Sequence, residues 1–291
     1  MTSWANQHFE ILPPDQWVVP AVFNSPHSGR RYPQDLLDKS RLSLDQLRRS
    51  EDCFVDELFM GCLTAGAPLL RAHAPRVYVD FNREPFELDP RMFFEELPGY
   101  MNTGSPRVAG GLGTVPRLVG EGEEIYRGRL PLAEAMARID GIYRPYHRTL
   151  TALLEEAHRS AGQVLLVDCH SMPASAVAGS GKGADIVLGD RFGASCSAHV
   201  TGHLERLFAA EGFRVVRNRP YAGGFITSSY GSPMKNRHAI QVEVNRALYL
   251  DERNYEKNKY FNGLKEALAR VTAALLSTLD AAAGEDRRAA E

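Results

Sequence analysis

Ala21-Val22-Phe23-Asn24-Ser25-Pro26-His27-Ser28-Gly29 and Val164-Leu165-Leu166-Val167-Asp168-Cys169-His170-Ser171-Met172-Pro173 share one plan: a short apolar run that ends in a polar turn carrying histidine and then serine. An apolar run of this length, bounded by turn residues, reads as a buried strand. In α/β folds, ligands and chemistry gather at the carboxyl ends of the strands, where loops leave the rigid sheet. A histidine just past a buried strand is therefore aimed at the site, and two of them, His27 and His170, can converge on one ion.

Periodicity outward from these runs predicts strands alternating with helices. Ser43-Leu44-Asp45-Gln46 reads as a capping box, and Leu47, Phe54, Val55, Leu58, Phe59, Cys62 and Leu63 supply a helical stripe up to Gly66, with a break near Ser50. The alternation in Arg76-Val77-Tyr78-Val79-Asp80-Phe81-Asn82 predicts a strand whose Tyr78, Asp80 and Asn82 face is polar. From about 84 to 130 the chain is rich in Gly and Pro with little periodicity, the mark of a functional loop region. Leu132 to about Ala161 predicts a long helix that Pro145 kinks or splits. Ile186-Val187-Leu188, Phe213-Arg214-Val215-Val216 and Ala239-Ile240-Gln241-Val242-Glu243-Val244 are further strands, with a helix over about 196–211 and a last one over about 254–283 before a charged tail. Such alternation predicts an α/β fold with a mixed, mostly parallel sheet covered on both faces, in a single domain over residues 1–291.

Composition narrows the function. With 291 residues and a net charge of −2, the chain lacks the basic stripe that neutralises phosphates, so no nucleic acid partner is expected. Met1 to Glu10 has no basic segment followed by an apolar core, and no apolar run reaches the ~20 residues that span a bilayer; a soluble, cytoplasmic protein without a membrane partner is expected. Cys53, Cys62, Cys169 and Cys196 form no Cys-x-x-Cys pair, which argues for reduced, buried thiols. The sequence carries no statement of oligomeric state.

The last strand is the second clue. Ile240, Val242 and Val244 share one face, and Gln241, Glu243 and Asn245 the other. A carboxylate on a strand otherwise apolar must be paired, solvated in a cleft or catalytic, unless the strand is a solvated edge. Hydrolytic zinc is typically held by three protein groups, and two histidines with one carboxylate is an established set. Glu51, Asp52 and Asp56 are the candidate carboxylates near His27, and Asp52, close to the helix break, is preferred. Glu243 suits a general base for a metal-activated water. Arg76 and Arg83 suit the anionic parts of a substrate or an oxyanion. No Gly-x-Ser-x-Gly elbow accompanies Ser28 or Ser171, Cys169 and His170 point apart on an extended chain, and Gly179-Ser180-Gly181-Lys182-Gly183 lacks the Walker spacing.

Ser25-Pro26-His27-Ser28-Gly29, Glu51-Asp52-Cys53-Phe54-Val55-Asp56-Glu57-Leu58, Arg76 to Arg83, Asp168 to Pro173 and Gln241-Val242-Glu243-Val244-Asn245-Arg246 together resemble the ordered motifs of the N-formylglutamate amidohydrolase family, over about residues 20–265. Tyr143-Arg144-Pro145-Tyr146-His147 and Gly223-Gly224-Phe225-Ile226-Thr227 fit the same resemblance. That family is in turn similar to the zinc carboxypeptidases and the aspartoacylase and succinylglutamate desuccinylase group, which implies a three-layer α/β/α, zinc-carboxypeptidase-like fold. One departure stands out, since those relatives place a glutamate three residues after the first histidine and here that residue is Arg30.

The resemblance implies a zinc-dependent amidohydrolase of amino-acid catabolism, in histidine degradation, that takes N-formyl-L-glutamate or a close N-acyl amino acid to formate and L-glutamate. It implies one zinc on His27, Asp52 and His170, Glu243 as base, and Arg76 at the oxyanion. Asn82 and Arg83 would hold the α-carboxylate, Arg246 the side-chain carboxylate, and Tyr230 or the stretch around Gly223 would close the pocket. A metallo-carboxypeptidase for short peptides and a non-catalytic carboxylate-binding protein are the alternatives.

Overall fold

The computed structural model describes residues 7–120, 122–178 and 183–289, with side chains described up to residue 279. The Gly-rich stretch at 179–182 lies outside the described residues. Contacts group the chain into two compact units, one built mainly from Pro26–Glu51 and Ala72–Leu150, the other mainly from Ile11–Ser25, Asp52–Arg71 and the chain from Thr151 onward.

The central sheet has seven strands: β1 (Phe9–Leu12), β2 (Ala21–Ser25), β3 (Leu69–Ala72), β4 (Val164–Met172), β5 (Ile186–Gly189), β6 (Val215–Arg217) and β7 (Arg237–Asn245), in the order β1-β3-β2-β4-β7-β5-β6. β2 pairs in parallel with β3 and β4, β4 with β7, and β5 with β6, while β5 runs antiparallel to β7. The mixed, mostly parallel sheet expected from the sequence is present. β7 is an inner strand between β4 and β5, so its polar face is no solvated edge. β1 and β3 were not legible as strands. β6 starts two residues later than its sequence pattern suggests.

Register sorts the two faces of the inner sheet. Phe23 lies opposite Val167, Val167 opposite Ile240, and Cys169 opposite Val242, and all belong to one apolar core. That core is closed by α1 (Val55–Leu58), α2 (Gly61–Thr64), α3 (Ala198–Ala210) and α5 (Phe261–Ala289), through residues such as Leu58, Cys62, Leu204, Leu268 and Leu276. The alternate residues carry Asn24 opposite Asp168, Asp168 opposite Gln241, and His170 opposite Glu243. α4 (Phe225–Tyr230) packs against β4 and β7.

Other expectations needed correction. His170 lies inside β4, which runs on to Met172, because β7 continues alongside it to Asn245. Arg76–Asn82 forms turns instead of a strand: the Pro75 carbonyl accepts the N–H groups of both Tyr78 and Val79, and the Asp80 carboxylate accepts the Asn82 N–H. Such local bonds offer the backbone an alternative to a sheet ladder. The Ser43 capping box is formed, but its helix stops at Leu47, and an extended Glu51 and a left-handed Phe54 separate it from α1. The helix from Leu132 passes through a π-helical segment, Ile139–Tyr143, that ends two residues before Pro145, and then continues over Arg144–Ala161. That wide turn is where the missing Pro N–H is absorbed. The last helix begins at Phe261, not near 254, because Leu250–Asp251 and Glu256–Lys257 pair as a small antiparallel ribbon.

The other unit has its own core of Leu36, Leu47, Val77, Leu88, Phe93, Val115, Ile125 and Ile139. Its 84–130 stretch is mostly irregular, with one turn of helix at Pro106–Ala109 and a short antiparallel pair, Leu118–Val119 with Glu123–Glu124. Within this unit the turn after His27 packs on the Ala74 backbone: a Cβ added at Gly29 would lie 1.9 Å from the Ala74 carbonyl oxygen. Gly29→Ala is therefore expected to lower stability by about 1–3 kcal/mol, the usual cost of overpacking. An unchanged urea midpoint would show that the turn can move aside freely.

Candidate metal and active site

On the polar sheet face His170 meets a carboxylate at each ring nitrogen, Nδ1 at 3.0 Å from Asp52 Oδ2 and Nε2 at 3.0 Å from Asp168 Oδ2. All three residues are buried. Asp168 is held in turn by Asn24, whose Nδ2 donates to Oδ1 at 2.8 Å. The helix break places Asp52 where its Oδ1 accepts from Ser171 Oγ and from the Arg246 guanidinium, each at 3.1 Å. Arg246 Nε also donates to Ser171 Oγ at 3.1 Å. Burial disfavours charge on His170, yet Asp168, Asp52 and Glu243 together push its pKa well above the ordinary imidazole value. Burial also works against the Arg246 charge, but Asp52 more than offsets it and raises that pKa.

His27 Nε2 lies 2.8 Å from Asp80 Oδ1, in a second buried imidazole–carboxylate pair. Burial alone would raise the Asp80 pKa, but Arg76, Arg83 and His27 hold it well below the usual carboxylate range. Arg76 Nε donates to Asp80 Oδ2 at 2.9 Å, and Arg83 Nε lies 3.7 Å from the same oxygen. Arg83 is a buried guanidinium that donates to the Asn82 and Leu112 carbonyls, and burial brings its pKa down to about 10. The Asn82 N–H donates to Asp80 Oδ1, and Tyr143 Oη donates to the Arg83 carbonyl at 2.6 Å.

His27, Asp52 and His170 each offer one ligand atom, and the three atoms lie within 4.8 Å of one another. Glu51 and Asp56 are engaged elsewhere: Glu51 accepts from Tyr32 Oη at 2.6 Å and lies 3.3 Å from Arg48, and Asp56 pairs with Arg71 at 3.1 Å. The donor chemistry fits a divalent ion. A neutral imidazole donates through only one nitrogen, so His170 between two carboxylates can bind an ion beside Asp52 through Nδ1 while giving its Nε2–H to Asp168. Metal-bound histidines characteristically donate the second nitrogen to a carboxylate in this way.

Glu243 is buried beside this group, and Gln241 Nε2 donates to its Oε1 at 2.7 Å. Tyr230 sits at the end of α4, half-buried, with its hydroxyl accepting from Thr151 Oγ1 at 3.5 Å. Asn24, Asp80, Asp168 and Gln241 had no assigned role in the sequence reading. For Asp80, Asp168 and Gln241 the signal was the one that exposed Glu243, a polar residue alternating with apolar ones, while Asn24 stands at the polar end of an apolar run.

The buried His-Asp-His group, with a carboxylate alongside, is a donor set that could hold a metal ion in an α/β fold. The chain belongs to the N-formylglutamate amidohydrolase family, whose model matches residues 19–250. It is 31% identical to the N-formylglutamate deformylase of Pseudomonas aeruginosa, over 93% of this chain and 96% of that one. The N-formylglutamate deformylase of Pseudomonas putida is 30% identical over 84% and 86% of the two chains. The crystal structure of N-formylglutamate amidohydrolase from Ralstonia eutropha JMP134 superposes with a TM-score of 0.89 at 33% identity, covering 94% of this chain and 99% of that one. Among the described residues no helix is long and apolar enough to cross a membrane.

Arg246 and Asp52 are each nearly inaccessible, so removing one leaves a buried charge short of its partner. Arg246→Met is expected to lower stability by about 3 kcal/mol or more, in the range measured for broken buried ion pairs. A variant as resistant to urea as the parent would contradict this reading of the pair.

Proposed function

We propose that the protein hydrolyses N-formyl-L-glutamate to formate and L-glutamate with one divalent ion, zinc, held by His27, Asp52 and His170. The observation that carries the proposal is the His-Asp-His group, with Asp80 and Asp168 behind its two imidazoles, in a chain of this family. The ion would supply Lewis-acid character for the attacking water and the formyl oxygen.

The chain's own groups perform the remaining work. Glu243 takes the proton of the attacking water and returns it to the leaving nitrogen, so the C–N bond breaks to release an amine and not an amide anion. Asp168 and Asp80 accept the outward N–H of His170 and His27, which fixes each ring's orientation. Asp52 keeps one oxygen for the ion because Ser171 and Arg246 hold the other. Arg76 stabilises the tetrahedral oxyanion, and Asn82 with Arg83 binds the α-carboxylate, since a guanidinium matches carboxylate geometry. The Arg246 guanidinium is already committed to Asp52 and Ser171, so we assign it to the metal ligand instead of the substrate side chain.

Purified protein loaded with zinc is expected to release formate from N-formyl-L-glutamate, to stop when the ion is chelated and to recover when zinc is restored. Formate release at an undiminished rate from metal-free protein would overturn the metal assignment, and zinc-loaded protein with no release would overturn the substrate. Glu243→Gln is expected to lower kcat by roughly 100- to 10,000-fold with zinc content unchanged. Asp52→Asn is expected to lose bound zinc while Asp56→Asn keeps it, read by metal analysis after dialysis. The reverse pattern would name a different third ligand.

A further inference from the structure

Gln241 makes two buried hydrogen bonds with opposite roles. Its Oε1 accepts from the Gly224 N–H at 2.9 Å, and its Nε2 donates to Glu243 Oε1 at 2.7 Å. The two residues are two apart on β7 and therefore on one face. An amide oxygen and nitrogen look alike in shape, but a backbone N–H can only donate, so only the oxygen can face Gly224. The NH2 group is then forced towards Glu243, and Oε1 of Glu243 must meet it as a bare acceptor.

The Gly224 N–H is itself held by tight packing. Arg191 N–H donates to the Ala222 carbonyl at 2.8 Å, and Gly189, at the end of β5, approaches so closely that a Cβ there would lie 2.7 Å from the Gly223 nitrogen. Gly223 has φ of +115°, a conformation side chains disfavour, and a Cβ on it would meet Thr227 Oγ1 at 2.5 Å. The pair of glycines thus lets the loop reach Gln241 across the sheet end.

We propose that Gln241 is a positioning residue for Glu243, through which the Gly223-Gly224 loop fixes the rotamer of the carboxylate. The bond to Oε1 is charge-assisted and buried, a setting in which such bonds are strong. The carboxylate so held takes the proton from water and passes it to the leaving nitrogen. This rests on Glu243 acting as the base.

The test is steady-state kinetics on the zinc-loaded Gln241→Met variant, which keeps the length of the side chain and removes both polar atoms. The expected result is a kcat lowered about 10- to 100-fold, the scale of a lost bond to a charged group, with KM and zinc content unchanged. In the Glu243→Asp background, where the shortened carboxylate is out of Gln241's reach, the same change is expected to cost less than threefold. An unchanged kcat in Gln241→Met overturns the proposal, as does an equal loss in both backgrounds or a loss confined to KM or zinc content. Gln241→Leu provides the same readings if Gln241→Met fails to fold. Normal turnover by Glu243→Gln would overturn the base assignment and this inference together, whereas an inactive Glu243→Gln beside a normal Gln241→Met would overturn this inference alone.

Discussion

The buried negative charge on the inner sheet governs the rest of the site. Asp168 and Glu243 stand on β4 and β7, Asp52 joins them from the helix break, and all three are almost inaccessible to water. Isolated carboxylates in such surroundings are too costly to persist, so each must be paired or hydrogen-bonded. Asn24 and His170 answer Asp168, Gln241 answers Glu243, and Ser171, Arg246 and His170 answer Asp52. Among these bonds, the Arg246 guanidinium and the His170 imidazole supply the cationic character. His27, Asp52 and His170 together form the group that could hold a metal ion.

Precision comes from backbone that is not regular secondary structure. Asp52 reaches His170 only because the helix predicted from Ser43 breaks at Glu51 and resumes at Val55. Asp80 gathers His27, Arg76 and the Asn82 N–H because its own segment turns instead of pairing in the sheet. The Gly224 N–H reaches Gln241 because glycines at 189 and 223 leave room. Rigid strands set the register of the donors, and these three local departures bring the remaining partners to them.

Much of this was legible in the sequence because the relevant patterns are short in range. The period of two on Gln241-Val242-Glu243-Val244-Asn245 is local, and the structure keeps it. The apolar runs before His27 and before Asp168-Cys169-His170 are local too, and they gave β2 and most of β4. What stayed hidden depends on partners distant in the chain. That His170 lies beside Glu243 follows from β4 pairing with β7, a long-range choice that neither strand encodes alone. The alternation in Arg76–Asn82 imitates a strand, and only the Pro75 carbonyl and the Asp80 side chain reveal that its hydrogen bonds go elsewhere. The task of Gln241 was invisible because its orienting donor, Gly224, sits 17 residues away.

The most direct measurement is anomalous diffraction at the zinc edge from crystals grown with stoichiometric zinc. The account predicts one strong peak bonded to His27, Asp52 and His170, with Asp80 and Asp168 still accepting the outward imidazole N–H groups. A peak on other residues, or none at this group in zinc-replete crystals, would contradict it.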